Sequence, residues 1–291
     1  MNLRISYYPD ITQHRTPEQI RGGVTTLAEA LAASLSGVRN EAVTIEVLPV
    51  VSVREQTDMM ADGRCEIGLV KPSSYVFSHR RNENVLPAAV ALRVIDGQAG
   101  DRYFAQLYTH VDTGIRTLDD LRARCAVPEA KDRPSVGFGD PFSTANFLVP
   151  GARLAEIGLF PFTRFRSSGF YGGHDGVVRA VYEGKVDVGA GHDGVIVDLA
   201  RQPGFEDAAE KLIRLDRVFI HSDPVAVNVD ADLRAQITES LVSISERAEI
   251  KHALDILWGA VVGLARTQHS NYASVEEAIA RLGIPESDIL I

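Results

Sequence analysis

Strand-like and helix-like patterns alternate along this 291-residue chain, and the alternation constrains its fold more than any other feature. Short apolar runs bounded by turn residues predict strands at residues 3–7, 43–50, 66–70, 88–94, 103–109, 134–138, 213–219 and 224–228. Amphipathic segments predict helices, including residues 17–35, 53–60, 117–122 and 176–182, with two or three more between 230 and 282. The pattern predicts an α/β fold with largely parallel sheets.

An internal echo suggests two similar halves. Residues 62–68 and 183–189 share the order acid, Gly, base, any residue, acid, β-branched residue, Gly. Each copy predicts a helix that stops at its first glycine, followed by a strand. A common helix–glycine–strand connection would give the same pattern, but two copies in matching contexts favour two lobes facing each other across a cleft. We expect residues 1–110 with 215–291 to form lobe 1, and residues 111–214 to form lobe 2.

Composition excludes several function classes. The net charge is −9 and no basic block stands out, which argues against nucleic acid. No run of about 18 apolar residues is present, so no membrane span is predicted. The eight histidines are scattered and no phosphate-binding or dinucleotide-binding glycine loop occurs, so we expect no metal and no cofactor. Cys65 and Cys125 are expected to be buried free thiols.

The N-terminus enters a predicted strand at once. Residues 1–8 show no charged n-region, apolar h-region or small-residue cleavage site. Two interpretations stay open: a cytoplasmic protein, or a mature periplasmic form to which a start methionine has been added.

Residues 137–144 carry the clearest chemical signal. A short predicted strand runs through the turn pair Asp140–Pro141 into Ser143 and Thr144, where a helix should begin. The N–H groups of a helix start lack internal partners and carry partial positive charge, so residues 143–146 could hold a small oxyanion. Ser143 could equally serve only as a helix cap, which is a routine role for serine.

Two further residues gain meaning beside this helix start. His174 follows Gly172 and Gly173 and precedes another predicted helix, for which Asp175 is the expected cap. Alone, His174 would pass as a surface or capping residue; facing an oxyanion-competent turn, it becomes a credible hydrogen-bond donor. Asp223 lies between two predicted strands and alone would pass as a turn residue.

Several short motifs, in this order, resemble the phosphonate/phosphite/phosphate-binding proteins of ABC importers, which are type II-like periplasmic binding proteins. The resemblance is best from about Tyr103 to Pro224 and thinner over the first lobe. The motifs are Gly139-Asp-Pro-Phe-Ser-Thr144, Phe147-Leu-Val-Pro-Gly151, Gly173-His-Asp175, Ala180-Val181, Val186-Asp-Val188 and Ser222-Asp-Pro224.

The resemblance implies an α/β clamshell of two lobes, with two mixed sheets, helices on both faces and two crossover strands as the hinge. It places ligand contacts on Ser143, Thr144, the helix N–H groups including that of Ala145, and on His174, Asp223 and Tyr103. Two departures stand out. Ala145 replaces a third small hydroxyl, and Val70-Lys71-Pro72 replaces an aromatic residue after the third strand. Lys71 either supplies a charge where the family has that aromatic residue in the first lobe, or lies in solvent.

The carboxylate of Asp223 bears on ligand choice. It would repel a bare phosphate dianion but accept a hydrogen bond from a P–OH or an ammonium group. We therefore expect a phosphonate, a phosphite or an aminoalkylphosphonate to be preferred. Sulfate has no proton to give at neutral pH and should be rejected.

The expected function is the substrate-binding component of an ABC importer, acting as a monomer with a permease partner and no enzymatic activity. Three alternatives remain. The first is a hydrolase, because Ser143, His174 and Asp223 are the three residue types of a catalytic triad; however, no nucleophile elbow surrounds the serine. A second alternative is a cytoplasmic enzyme on the same clamshell fold, which menaquinone-pathway enzymes resemble. A binding protein without a transporter could instead signal ligand to a partner.

Overall fold

The computed structural model describes residues 1–9, 15–95 and 97–284, which fall into two compact units. Unit 1 comprises Met1–Arg102 and His221–Ala273, and unit 2 comprises Tyr103–Ile220 and Ser274–Ile291. Sequence analysis had assigned residues 103–110, 215–220 and 274–291 to the first lobe. Of the last of these, the described residues 274–284 belong with unit 2, because Arg281 pairs with Glu156 and Leu282 lies against Gly151.

Unit 1 is built on a mixed sheet with the described strand order β12-β4-β11-β3-β1-β2, and with β5 paired to β4. The strands are β1 (Asn2–Ser6), β2 (Thr44–Val47), β3 (Ile67–Leu69), β4 (Val85–Ile95), β5 (Gln98–Gly100), β11 (Pro224–Asn228) and β12 (Val261–Ala265). The helices are α1 (Pro17–Arg39), α2 (Val53–Ala61), α3 (Pro72–Arg81), α9 (Ala231–Ile244) and α10 (Ala248–Trp258).

The first helix shows how the sequence builds the core of unit 1. Thr16 and Gln19 form a capping box at the start of α1, and Pro17 occupies its first turn. Its buried side chains recur every three or four residues, so they form one apolar stripe. These are Ile20, Val24, Leu27, Leu31 and Leu35, which join a single hydrophobic cluster with residues of β1, β3, α9 and α10.

Unit 2 contains a second mixed sheet, with the described order β10-β6-β9-β7-β8. Its strands are β6 (Arg102–His110), β7 (Val136–Phe138), β8 (Ser168–Phe170), β9 (Val188–His192) and β10 (Leu212–His221). Its helices are α4 (Leu118–Cys125), α5 (Val149–Glu156), α6 (His174–Tyr182), α7 (Val195–Ala200), α8 (Ala208–Lys211) and α11 (Ala273–Leu282). The chain passes between units within β6 and β10 and again at α11.

The predicted α/β alternation with two mixed sheets is confirmed, whereas α3, α7, α8, β5, β8 and β12 were not predicted individually. The expectation of largely parallel sheets is wrong for unit 1, where β4 pairs antiparallel with β5, β11 and β12, and β11 pairs antiparallel with β3. The echo is also seen, because Gly63 and Gly184 both adopt positive φ, 69° and 70°, where a helix ends before a strand. The second glycines, Gly68 and Gly189, leave room for side chains of the core that pack directly against their backbone. A Cβ on Gly189 would lie 2.7 Å from Val181 Cγ2.

Both cysteines are free and buried, as predicted. Burial raises the pKa of the Cys125 thiol to about 11, so this thiol stays protonated at neutral pH. In the part of the chain that the structure describes, no helix combines the length and the apolar character needed to cross a bilayer.

Candidate ligand-binding site

One edge of the unit 2 sheet gathers the predicted binding residues of that unit. Strands β7, β8 and β9 run parallel, so their carboxyl ends meet at one edge. Ser143 and Thr144 follow β7, and His174 follows β8. Strand β6 is antiparallel to β9, with Ala105 opposite His192, so Tyr103 at its start lies at this edge too. Ligands of α/β sheets commonly bind at such carboxyl edges.

The segment after β7 begins with an Asx turn and then a cap. Phe142 N–H bonds to Asp140 Oδ1 (2.9 Å), and Ser143 N–H bonds to the Asp140 carbonyl (3.1 Å). Ser143 Oγ accepts from Asn146 N–H (3.0 Å), so this serine does cap a helix. Of the amides expected to face an anion, those of residues 143 and 146 are therefore used within the protein.

Capping leaves Ser143 able to bind a ligand. Its hydroxyl is the acceptor in the bond to Asn146, and a hydroxyl also has one hydrogen to donate. The first turn is π-helical over Thr144–Leu148, because Leu148 N–H bonds to the Ser143 carbonyl at 3.0 Å. Single π-helical turns are frequent at functional sites.

The second helix start corrects one prediction. Helix α6 begins at His174 with Gly173 as its N-cap, and Asp175, the expected cap, lies inside the first turn. Gly173 has φ 100°, which a residue with a Cβ adopts only under strain. The N–H groups of Gly172 and Gly173 both bond to the Gly139 carbonyl (3.1 and 3.2 Å), which joins the start of α6 to the end of β7.

The His174 ring has a defined orientation. Its Nδ1 accepts a hydrogen bond from the N–H of His192 at 3.3 Å. A neutral ring that accepts at Nδ1 carries its proton on Nε2, so Nε2 is the donor atom of this imidazole.

His192 is a candidate that sequence analysis missed. It ends β9, and its ring packs edge-on against His174 with centroids 4.6 Å apart. Its Nδ1 accepts from Gly194 N–H at 3.1 Å, which also places its own proton on Nε2. The signal was present in the sequence, since a histidine that ends the strand of the second echo copy must lie at the carboxyl edge.

In unit 1, Asp223 lies at an edge that is laid out in a similar way. It precedes β11, which is antiparallel to β3, and β3 runs parallel to β1. The carboxylate is not isolated, because Asp223 Oδ2 accepts from Arg93 Nη2 at 2.6 Å. The same guanidinium donates to Ser222 Oγ (2.9 Å) and to the Trp258 carbonyl (3.1 Å). Arg93 thus compensates the negative charge of Asp223, a partner that the sequence does not indicate.

Lys71 and Tyr8 occupy the same edge of unit 1. Lys71 is the N-cap of α3, and its ammonium lies over the Tyr8 ring, 5.3 Å from the centroid. The side chain is half-buried, in contact with an aromatic ring. A cation at a helix N-terminus adds to the positive end of the helix dipole, so this corner favours an anion. Tyr8 lies two residues after the end of β1 and was not singled out from the sequence.

His221, at the end of β10, is a buried titratable group that lies two residues before Asp223 in the chain. Its Nε2 is 2.8 Å from Thr267 Oγ1, and its Nδ1 is 3.7 Å from the Asp101 carboxylate. Burial lowers the pKa of His221, although the carboxylate of Asp101 acts against this shift. The described residues contain no group of three or more metal-ligating side chains.

The fold places the chain in a known structural class. The XAC2383 protein of Xanthomonas citri, solved with chloride, aligns at a TM-score of 0.74 and 15% identity, covering 97% of each chain. PhnD1 of Prochlorococcus marinus, solved with methylphosphonate, aligns at 0.70 and 15%, covering 97% of this chain and 98% of its own. PA3383 of Pseudomonas aeruginosa, a binding protein component of an ABC phosphonate transporter, aligns at 0.63 and 16%, covering 99% and 91%. The fold is thus that of ABC-transporter substrate-binding proteins.

The sequence gives the family. A family model described as the periplasmic substrate-binding protein of the phosphonate ABC transporter matches residues 10–272. The chain therefore belongs to that family of phosphonate-binding components of ABC transporters, as its motifs suggested. Members of this family are transport proteins, not enzymes.

Proposed function

We propose that this protein captures a small phosphorus oxyanion, namely a phosphonate, a phosphite or an aminoalkylphosphonate, and delivers it to an ABC permease. The observation that carries the proposal is the meeting of two helix starts at the carboxyl edge of the unit 2 sheet. Ser143 and Thr144 begin one helix, His174 begins the other, and hydrogen bonds to Gly139 link the strand before the first to the start of the second.

In this proposal the unit 2 edge supplies hydrogen-bond donors. These are the hydroxyls of Ser143 and Thr144, the N–H groups of Thr144 and Ala145, and Nε2–H of His174. Hydrogen bonds to a charged acceptor are shorter and about twice as strong as neutral ones. Tyr103, at the start of β6, contributes its hydroxyl. A tetrahedral anion offers enough oxygen lone pairs to accept all of them.

In unit 1, the proposed ligand-binding residues are Asp223 and Lys71. Asp223 keeps an acceptor oxygen, Oδ1, beyond the one bonded to Arg93, and that oxygen would receive a ligand P–OH or ammonium hydrogen. The phosphate dianion keeps one P–OH hydrogen for Asp223 but carries a second negative charge, so phosphate is expected to bind less tightly than methylphosphonate. Because Arg93 compensates the carboxylate, phosphate is not excluded. The ammonium of Lys71, at the N-terminus of α3, adds attraction for any anion.

Isothermal titration with five ligands tests the ligand class. Methylphosphonate, phosphite and aminoethylphosphonate should bind at least about tenfold more tightly than sulfate, because sulfate leaves the Asp223 acceptor facing another acceptor. Phosphate should fall between them. Sulfate binding as tight as that of methylphosphonate would contradict the proposal.

The Asp223→Asn variant sharpens this test. An amide at that position can donate to an unprotonated oxygen, so the preference for methylphosphonate over sulfate should shrink while the fold persists. An unchanged ratio of the two dissociation constants would remove Asp223 from the site.

The surroundings of the protein follow from the same proposal. We infer a periplasmic location, in keeping with the family, and we propose a monomeric state. Sedimentation with and without methylphosphonate checks the state of assembly. Incubation with ligand followed by phosphorus NMR checks that the bound compound is released unchanged, since any turnover would favour an enzyme on this fold.

A further inference from the structure

Among the described residues near the two helix starts, Asn146 has a buried side chain with no hydrogen-bond partner. The residue is fully buried, and neither Nδ2 nor Oδ1 has a hydrogen-bond partner among the described residues. Its backbone is satisfied, with N–H bonded to Ser143 Oγ and the carbonyl accepting from Gly139 N–H at 3.3 Å. Buried amides of native proteins are rarely unpaired, so an orphaned one calls for an explanation.

The amide lies at the junction of the two helix starts. A Cβ on Gly139 would be 2.6 Å from Asn146 Cγ and 3.0 Å from the Gly173 carbonyl carbon. Gly139 must therefore lack a side chain for the amide to rest against the end of β7. This is the strand end to which Gly172 and Gly173 bond at the start of α6. The orphaned atoms thus lie where the oxyanion site has been placed.

The neighbouring residue makes the absence of partners meaningful. Position 145 is alanine, so the third hydroxyl that the family resemblance would supply is missing. Asn146 comes next, within the same π-helical turn. Its carboxamide provides two donor hydrogens at one end and an acceptor oxygen at the other. Because both ends are unpaired, interchanging the nitrogen and oxygen would not alter the argument.

We propose that the Asn146 side chain is a third ligand-binding group of the anion site, with Nδ2 donating to a phosphoryl oxygen and Oδ1 able to accept a second ligand hydrogen. The inference rests on the proposed function. Methylphosphonate gives its one P–OH hydrogen to Asp223, so methylphosphonate and sulfate both use only the Nδ2 donor of Asn146, whereas an aminoalkylphosphonate has a hydrogen for each acceptor. Asn146 therefore adds to the affinity for small oxyanions, and the preference between methylphosphonate and sulfate is left to Asp223.

Asn146→Ala is the direct test, with methylphosphonate and sulfate as the probes in isothermal titration. The dissociation constant for methylphosphonate should rise about tenfold, the factor expected for one lost hydrogen bond to a charged group. The ratio of the dissociation constants for methylphosphonate and sulfate should stay about the same, because both ligands lose the same donor. The melting temperature of the ligand-free variant should stay level or rise, because two unpaired polar atoms are removed from the interior.

Two further variants separate binding from structure. Asn228→Ala is the matched control, since Asn228 Nδ2 is already bonded to the Met60 carbonyl at 2.9 Å. It should lower the melting temperature and leave both dissociation constants unchanged. Adding Ala145→Ser to Asn146→Ala restores a hydroxyl beside the lost amide and should recover part of the methylphosphonate affinity.

The outcomes that overturn the inference are distinct from those that overturn the proposed function. A change of less than about twofold in methylphosphonate affinity for Asn146→Ala would exclude Asn146 as a ligand-binding group. A failure of both Asn146→Ala and Asn146→Ser to fold would assign the residue a structural role and overturn it as well. If Ser143→Ala with Thr144→Ala also left binding intact, the anion site itself would be misplaced.

Discussion

The candidate edges of the two units are laid out alike but use different chemistry. Each lies at the carboxyl ends of parallel strands, with an antiparallel strand alongside. In unit 1 the edge carries full charges that already have partners, as in the Arg93–Asp223 pair and in Lys71 over Tyr8. In unit 2 the edge carries neutral donors: helix N–H groups, hydroxyls and imidazole.

This difference suggests a division of labour. Fixed dipoles and hydroxyls hold any small oxyanion, so the unit 2 edge should set affinity. A carboxylate fixed by a guanidinium accepts hydrogen and repels unprotonated oxygen, so the unit 1 edge should set preference among anions. Variants at the two edges should accordingly fail in different ways.

Breaking the charge pair of unit 1 should have the largest effect. Arg93→Met leaves Asp223 buried without its partner, which costs about 3–5 kcal/mol when one member of a buried pair is removed. Urea unfolding should show a lower free energy of unfolding. Combining Arg93→Met with Asp223→Asn should recover much of the loss.

Arg4→Met supplies the comparison for that experiment. The Arg4–Glu66 pair is more exposed, with Arg4 at 40%, so its loss should cost less than about 1 kcal/mol. Equal decreases in the free energy of unfolding of the two variants would mean that the Arg93–Asp223 pair stabilises the protein no more than an exposed pair does.

Removing the hydroxyls of unit 2 should have the next largest effect, and on binding. Ser143→Ala with Thr144→Ala should weaken methylphosphonate binding at least about tenfold, at about 1–2 kcal/mol per donor lost. Thr117→Ala is the control, because Thr117 caps α4 through Asp120 N–H (3.1 Å) and has no place in the site. Titration should show normal affinity for the control; undiminished affinity in the double variant would locate the site elsewhere.

The pH dependence contributed by His221 should be the smallest of these effects. Burial lowers its pKa in the folded protein, so the unfolded chain binds more protons below its ordinary value of about 6.5. The stabilising effect is therefore present above that value and is lost as the pH falls through it toward the lowered folded value. In His221→Gln the melting temperature should drop less between pH 7.5 and pH 5.5 than in the parent protein; an equal drop would exclude His221 as the source.

Much of the fold was predictable because it depends on local periodicity. Strands β1, β3 and β11 and helices α1 and α2 follow from apolar spacing, capping residues and turn residues, and each was predicted to within a few residues. Helix α3 was not, since the Ser73–Ser74 pair and the basic end of the segment give a weak helical pattern. Its start depends on Pro72 in the first turn.

The site was less predictable because its details depend on tertiary contacts. The motif placed Ser143 and His174 at helix starts, and the structure agrees. The π-helical turn and the orphaned amide of Asn146 leave no trace in apolar spacing. The partner of Asp223 lies 130 residues away along the chain, on a strand that the sequence presented as apolar. Whether these residues bind ligand stays a prediction.

The double duty of Ser143 has a consequence for how this protein could change its preference. One oxygen both holds the first turn of a helix together and is proposed to meet the guest molecule. Replacing Ser143 would lower the stability of the protein by about 0.5–2 kcal/mol and would also alter ligand recognition. Stability and recognition therefore cannot change independently at this position. The side chain at position 145, an alanine, makes no capping hydrogen bond. A substitution there can therefore change ligand selectivity at a smaller cost in stability.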